Sequence, residues 1–122
     1  MGIHGWRVLA VEDEFMIAMM LEDMLVELGC DVAGIAANPA QVLELIESKN
    51  IDVAVLDVNL DGADSLGVAA VLREKQVPFI FATGYGSTRL PPQFASCDVL
   101  QKPYRLEDLA HALGQLRVVR KG

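Results

Sequence analysis

Only two cysteines occur in the 122 residues, Cys30 and Cys97, far apart and without a C-x-x-C partner. A disulfide framework and a cysteine zinc site are thereby excluded, and reduced thiols of a cytoplasmic protein are expected. Basic residues are scarce as well: ten Lys and Arg stand against seventeen Asp and Glu, a net charge of −7. That balance leaves no electrostatic footprint for nucleic acid or anionic lipid. No run approaches the ~18 apolar residues of a membrane span, and Met1 to Trp6 lacks the basic segment and apolar core of a secretory signal. Gly2 has no Ser or Thr at position 6 to complete a myristoylation pattern. Internal repeats, linkers and low-complexity tracts are missing too. One soluble domain over 1–122 is expected, its core running from about 6 to 117, for which 52% hydrophobic residues suffice.

What the chain does contain is a series of short apolar runs that stop at polar residues. Arg7 to Val11 ends in Glu12-Asp13-Glu14, Val53 to Leu56 stops at Asp57, Phe79 to Ala82 gives way to Thr83, and Asp98 to Gln101 runs into Lys102-Pro103. The runs at Val53 and Phe79 read as buried strands, and the other two as strands with polar residues at their ends. Asp31 to Ala36 is less apolar and suits a sheet edge. Between them lie helical spacings. From Glu14 to Leu28, Ile17, Leu21, Met24 and Leu28 recur on one side, and Gly29 is placed to stop the helix. Met16, Met19, Met20 and Met24 are expected to fill the core in preference to forming an adaptable binding face. Asn38-Pro39 opens a helix through about Ser48, with Val42, Leu45 and Ile46 inward. Leu66 to Lys75 reads as a third helix. The closing helix carries Leu106, Leu109, Ala110, Leu113 and Leu116 on one side, with Arg117, Arg120 and Lys121 near the negative end of its dipole. Ser87 to Cys97 holds Pro91-Pro92, so a short helix or irregular loop is expected there, and with Gly84 and Gly86 before it this is the expected mobile part.

Five strands alternating with helices mean a doubly wound parallel sheet with right-handed crossovers. In that arrangement the first and third strands end side by side at the switch point, so Glu12, Asp13 and Asp57 should converge. Carboxylates that close repel one another, and a divalent cation among them is the simplest remedy. Hard oxygen ligands suit Mg²⁺: Asp13 and Asp57 through carboxylates, Asn59 through its backbone carbonyl, Glu12 through a bound water. An unfilled acidic pocket, or caps for the following turns, remains the plainer alternative. Thr83 and Lys102 end the fourth and fifth strands and should enter the same crevice. A hydroxyl, an ammonium and a metal around one carboxylate form a clamp in which Asp57 can take a phosphoryl group as nucleophile. Singly, Thr83 is a strand-end hydroxyl and Lys102 a solvated lysine. Asp57 to Gly62 also matches the opening of a calcium loop, but Val68 stands where a bidentate glutamate is needed. A doubly wound aspartyl-phosphate phosphatase would want an acid at Asn59.

From Trp6 to Leu116, with Glu12-Asp13, Asp57, Thr83 and Lys102-Pro103 at four strand ends, the chain resembles a receiver domain of two-component response regulators. The resemblance implies a flavodoxin-like strand order 2-1-3-4-5. It also implies that Asp57 accepts phosphate with Mg²⁺ from a histidine kinase or histidine phosphotransfer protein, and that Lys102-Pro103 is a cis peptide. Such a protein catalyses its own phosphorylation and dephosphorylation without being a turnover enzyme. Asn59 would help set the lifetime of the acyl phosphate, and the glutamate of the Glu12-Asp13 pair is a variant the family accepts. Output would pass by contact with a downstream protein through the 84–103 face, and homodimerisation would use the last helix. Many receivers carry Tyr or Phe three residues before the lysine, where this chain has Val99; Tyr85 is the candidate replacement. Pro78 to Gly86 resembles a receiver subgroup named for its Phe-Ala-Thr-Gly run, often single-domain and associated with stress signalling. A pseudo-receiver binding partners without phosphorylation stays open, as does a domain cut from a larger regulator.

Overall fold

The computed structural model describes residues 3–57, 65–83, 99–101 and 104–116. The segment Ser87 to Cys97, with its expected short or irregular helix, and the basic residues Arg117, Arg120 and Lys121 lie outside them. In chain order the elements are β1 (Arg7–Val11), α1 (Phe15–Glu27), β2 (Asp31–Ala36), α2 (Pro39–Ser48), β3 (Val53–Asp57), α3 (Ser65–Glu74), β4 (Phe79–Thr83), β5 (Val99–Gln101) and α4 (Leu106–Gly114). The strands form one parallel sheet in the order β2-β1-β3-β4-β5. This is the doubly wound arrangement expected from the alternation of strand and helix.

Alternation along each strand sends successive side chains to opposite faces, and both faces are covered. Val8, Ala10, Val53, Val55, Ile80 and Ala82 meet Leu21 and Leu25 of α1 and Leu109 and Leu113 of α4 on one side. On the other, Leu9, Val11, Ala54, Leu56, Phe79 and Phe81 meet Val42 of α2 and Val68, Ala69 and Leu72 of α3. Each buried leucine contributes about 1.5–3 kcal/mol relative to an exposed one. Ile3 and Trp6 close the lower end of the first cluster, where the Cys30 thiol, buried and free, donates to the Ile3 carbonyl oxygen at 3.4 Å.

The helix ends follow local chemistry. Asn38 Oδ1 accepts from the Gln41 N–H at 3.0 Å and opens α2 with Pro39 behind it, as the sequence predicts. At the end of α1 the Gly29 N–H reaches the Val26 carbonyl and the Cys30 N–H reaches that of Leu25, the paired bonds of a Schellman stop. Gly29 takes φ +87°, and a Cβ there would collide with the His4 ring. The same pair of bonds ends α3, from Gln76 to Arg73 and Val77 to Leu72, but here Gln76 occupies the left-handed region at φ 61°. At the β2 edge, Gly34 leaves room for Leu45 of α2, and Lys49 Nζ donates to the Ala33 carbonyl oxygen at 3.0 Å, beside a shift in the β1–β2 register.

One expectation is corrected. The residues of α1 that reach the core are Ala18, Leu21 and Leu25, with Ile17, Met24 and Leu28 half-buried, while Met16, Met19 and Met20 are exposed. Of the four methionines read as core filling, only Met24 packs against the core. The helix is apolar on nearly every side, so periodicity alone did not select the buried stripe. The slimmer Ala18 faces the sheet, and the thioethers turn outward.

Gly29→Ala forces an L side chain into the left-handed region and should lower stability by about 1–2 kcal/mol, with the His4 contact adding to the loss. Gln76→Gly relieves the same conformation, offset by extra freedom in the unfolded chain, and should raise stability by up to about 1 kcal/mol. Urea unfolding of the two variants checks both signs.

Candidate functional site

The sheet register builds the site. Val11 of β1 lies opposite Leu56 of β3, so the next residues, Glu12 and Asp57, leave neighbouring strands side by side. Between them the chain turns from β1 into α1 on one side of the sheet and continues from β3 toward β4 on the other. That divergence opens the crevice in which open α/β sheets hold ligands. One carboxylate oxygen each of Glu12, Asp13 and Asp57 lies within 4.8 Å of the other two. Glu12 and Asp57 are each 5% exposed and Asp13 is half-buried.

Glu12 does structural work as well. Its N–H donates to the Ala36 carbonyl oxygen at 2.9 Å, extending the ladder with β2, and its Oε2 accepts from the Glu14 N–H at 3.1 Å. The turn-capping role weighed from the sequence is thus present in Glu12, together with its place in the acidic cluster. The first turn of α1 follows directly, and its positive dipole end favours the carboxylates beside it.

Thr83 ends β4 one residue beyond Ala82, the register partner of Asp57, and is buried at 1% exposure. Opposite it, Gln101 ends β5 and leads to Lys102. Lys102, Pro103, Asn59 and Tyr85 lie outside the described residues. Val99, the position where a switch aromatic was sought, begins the edge strand β5 and is half exposed.

A residue that sequence reasoning missed is Tyr104. It is half-buried against the cluster shared by α1 and α4. Its phenol is pushed up to about 12, first by burial and then by the negative charges of Glu12 and Asp57. At neutral pH it is therefore an uncharged donor within electrostatic reach of both carboxylates. The available signal was an aromatic two residues after Lys102, at the entry to the last helix. Three carboxylate oxygens gathered this closely form a donor set for a small hard cation.

Known proteins fit this geometry. The family model described as the response regulator receiver domain matches residues 8–114. The chain is 30% identical over 111 residues to the transcriptional regulatory protein PdtaR of Mycobacterium tuberculosis, covering 88% of this chain and 54% of PdtaR. It therefore spans about half the length of that relative. The solution structure of SdrG from Sphingomonas melonis Fr1 superposes with a TM-score of 0.76 at 42% identity, covering 89% of this chain and 93% of SdrG. The receiver domain of sensor histidine kinase PA1611 from Pseudomonas aeruginosa PAO1, described with a magnesium ion coordinated in its active site cleft, gives a TM-score of 0.71 at 25% identity. It covers 89% of this chain and 94% of that domain.

Because the folded state holds the Tyr104 proton more tightly than the unfolded chain does, its contribution to stability is complete below pH 10 and is lost as pH rises toward 12. Urea midpoints should fall across that window less steeply in Tyr104→Phe than in the parent protein. In a Tyr85→Phe background, where Tyr104 is the remaining tyrosine, Asp57→Asn should move the phenolate absorbance transition to lower pH.

Proposed function

This chain belongs to the response regulator receiver domain family, and we propose that it works there as a phosphoacceptor in which Asp57 takes the phosphoryl group. The observation that carries this reading is the convergence of Glu12, Asp13 and Asp57 at the adjoining ends of β1 and β3. A carboxylate oxygen of Asp57 attacks phosphorus on a phosphohistidine donor. The new O–P bond forms as the N–P bond breaks, and the bonding pair stays on the imidazole nitrogen, which takes up a proton.

The donor set fits Mg²⁺, which Asp13 and Asp57 would hold through carboxylates and Asn59 through its backbone carbonyl, with Glu12 acting through a water. When bound, the ion neutralises charge on the phosphoryl oxygens. The magnesium described in the PA1611 receiver supports this assignment. Thr83 and Lys102 are assigned the remaining oxygens, Thr83 by its hydroxyl and Lys102 by its ammonium. Glu12 sets the turn into α1 and so orients Asp13.

The donor is a histidine kinase or histidine phosphotransfer protein in the cytoplasm. Output goes to a downstream protein through the 84–103 face, with Tyr85 replacing the switch aromatic absent at Val99, and the last helix is the candidate homodimer surface. Residues 1–122 act as one receiver unit. A role in stress signalling rests on the Phe-Ala-Thr-Gly run at 81–84.

Intact mass after incubation with acetyl phosphate tests the reading. A single phosphoryl adduct is expected with Mg²⁺, none without it, and none in Asp57→Asn. Asp13→Asn should raise the Mg²⁺ concentration needed for labelling by tenfold or more, since loss of outer partners alone costs roughly 10–100-fold in metal affinity. No adduct on the parent protein would leave a receiver fold that binds partners without phosphorylation.

A further inference from the structure

The start of α1 and the acidic cluster share one side chain. For comparison, α2 is opened by its own N-cap Asn38, whose Oδ1 accepts from the Gln41 N–H at 3.0 Å. In α1 the N-cap Glu14 makes no side-chain cap bond, and the first turn carries no acidic residue. A bond that holds this turn comes from outside the helix: Glu12 Oε2 accepts from the Glu14 N–H at 3.1 Å. The same Glu12 carboxylate is buried and places an oxygen within 4.8 Å of oxygens of Asp13 and Asp57. Its backbone is fixed to β2 by the Glu12 N–H on the Ala36 carbonyl oxygen at 2.9 Å. The side chain is therefore the part that answers the charge around it.

Two other carboxylates push Glu12 away when no cation lies among them, and a cation reverses that force. The capped turn opens locally when the bond to the Glu14 N–H breaks. Without a cation this opening relieves repulsion, because the freed side chain can swing toward water. With a cation, the same opening must also give up the hold of Glu12 on it, direct or through a water. Outer partners of that kind are worth roughly 10–100-fold in metal affinity. Linkage is reciprocal, so the same factor returns to the turn as resistance to opening. We propose that Glu12 locks the first turn of α1 when the cluster holds its cation. Phe15 and Met16, 74% and 72% exposed, are then held in place by cation occupancy. The inference rests on Mg²⁺ binding at this cluster.

Calorimetry gives the Mg²⁺ concentration that saturates each protein, and amide exchange followed by NMR, without Mg²⁺ and at saturation, reads the turn. In the parent protein Mg²⁺ should slow exchange of the Glu14 N–H by roughly tenfold or more. The Gln41 N–H is the internal control, since its acceptor Asn38 is no member of the cluster, and its exchange should change by less than about threefold. Glu12→Gln keeps an oxygen for the Glu14 N–H but loses the charge. With Mg²⁺ held by Asp13 and Asp57, its Glu14 exchange should change by less than about threefold. An unslowed Glu14 N–H in the saturated parent protein, equal slowing at Gln41, or slowing that persists in Glu12→Gln overturns the proposal. If the glutamine variant fails to fold or to saturate, the comparison of Glu14 with Gln41 in the parent protein decides alone. Absence of calorimetric Mg²⁺ binding to the parent protein instead removes the cation assignment beneath the proposal.

Discussion

Like charges held together in a partly dry crevice set the terms for the rest of this structure. Left to themselves, Glu12, Asp13 and Asp57 would separate. They stay together because the strands that carry two of them cannot move. β1 and β3 are paired in register and covered on both faces, and Glu12 is anchored by its backbone to β2 and by its side chain to the first turn of α1. Burial of the strands thus bears the cost of the cluster, and the cluster gives the strand ends their chemistry. Tyr104 shares that environment, since its proton is held first by burial and then by the same negative field.

Much of this was legible in the residues. Asp57 at the end of an apolar run, Gly29 after a helical period and Asn38-Pro39 before one each carry a local physical meaning that survives folding. The convergence of Glu12, Asp13 and Asp57 followed from topology alone, because alternating strands and helices leave few ways to arrange the sheet. Two features were not legible, for different reasons. In α1 almost every position is apolar, so hydrophobic spacing found the side of Leu21, Met24 and Leu28 but not that Ala18 and Leu25 also face the core or that Met16, Met19 and Met20 turn outward; fit against the sheet decided it. Tyr104 lies outside any periodic pattern, and its nearness to Glu12 and Asp57 exists only in three dimensions.

The outward methionines and the acidic cluster join at one turn. Glu12 ends the sheet ladder, caps the turn and belongs to the cluster, and three residues later the exposed apolar surface begins. The acidic cluster and this outward face are thereby mechanically continuous: whatever shifts the start of α1 also shifts a carboxylate oxygen. The wider receiver fold leaves the core indifferent to this face, so its side chains can vary without repacking the sheet.

The bond from Lys49 to the Ala33 carbonyl, at the irregular stretch of β2, has a bearing on life at high concentration. A bare strand at the margin of a sheet is a template on which another chain can add. Here an ammonium already occupies one of the acceptors that an incoming strand would need, and the broken register denies that strand a continuous ladder. The β2 margin thus presents an incoming strand with one acceptor already taken and an irregular backbone, a local obstacle to strand addition.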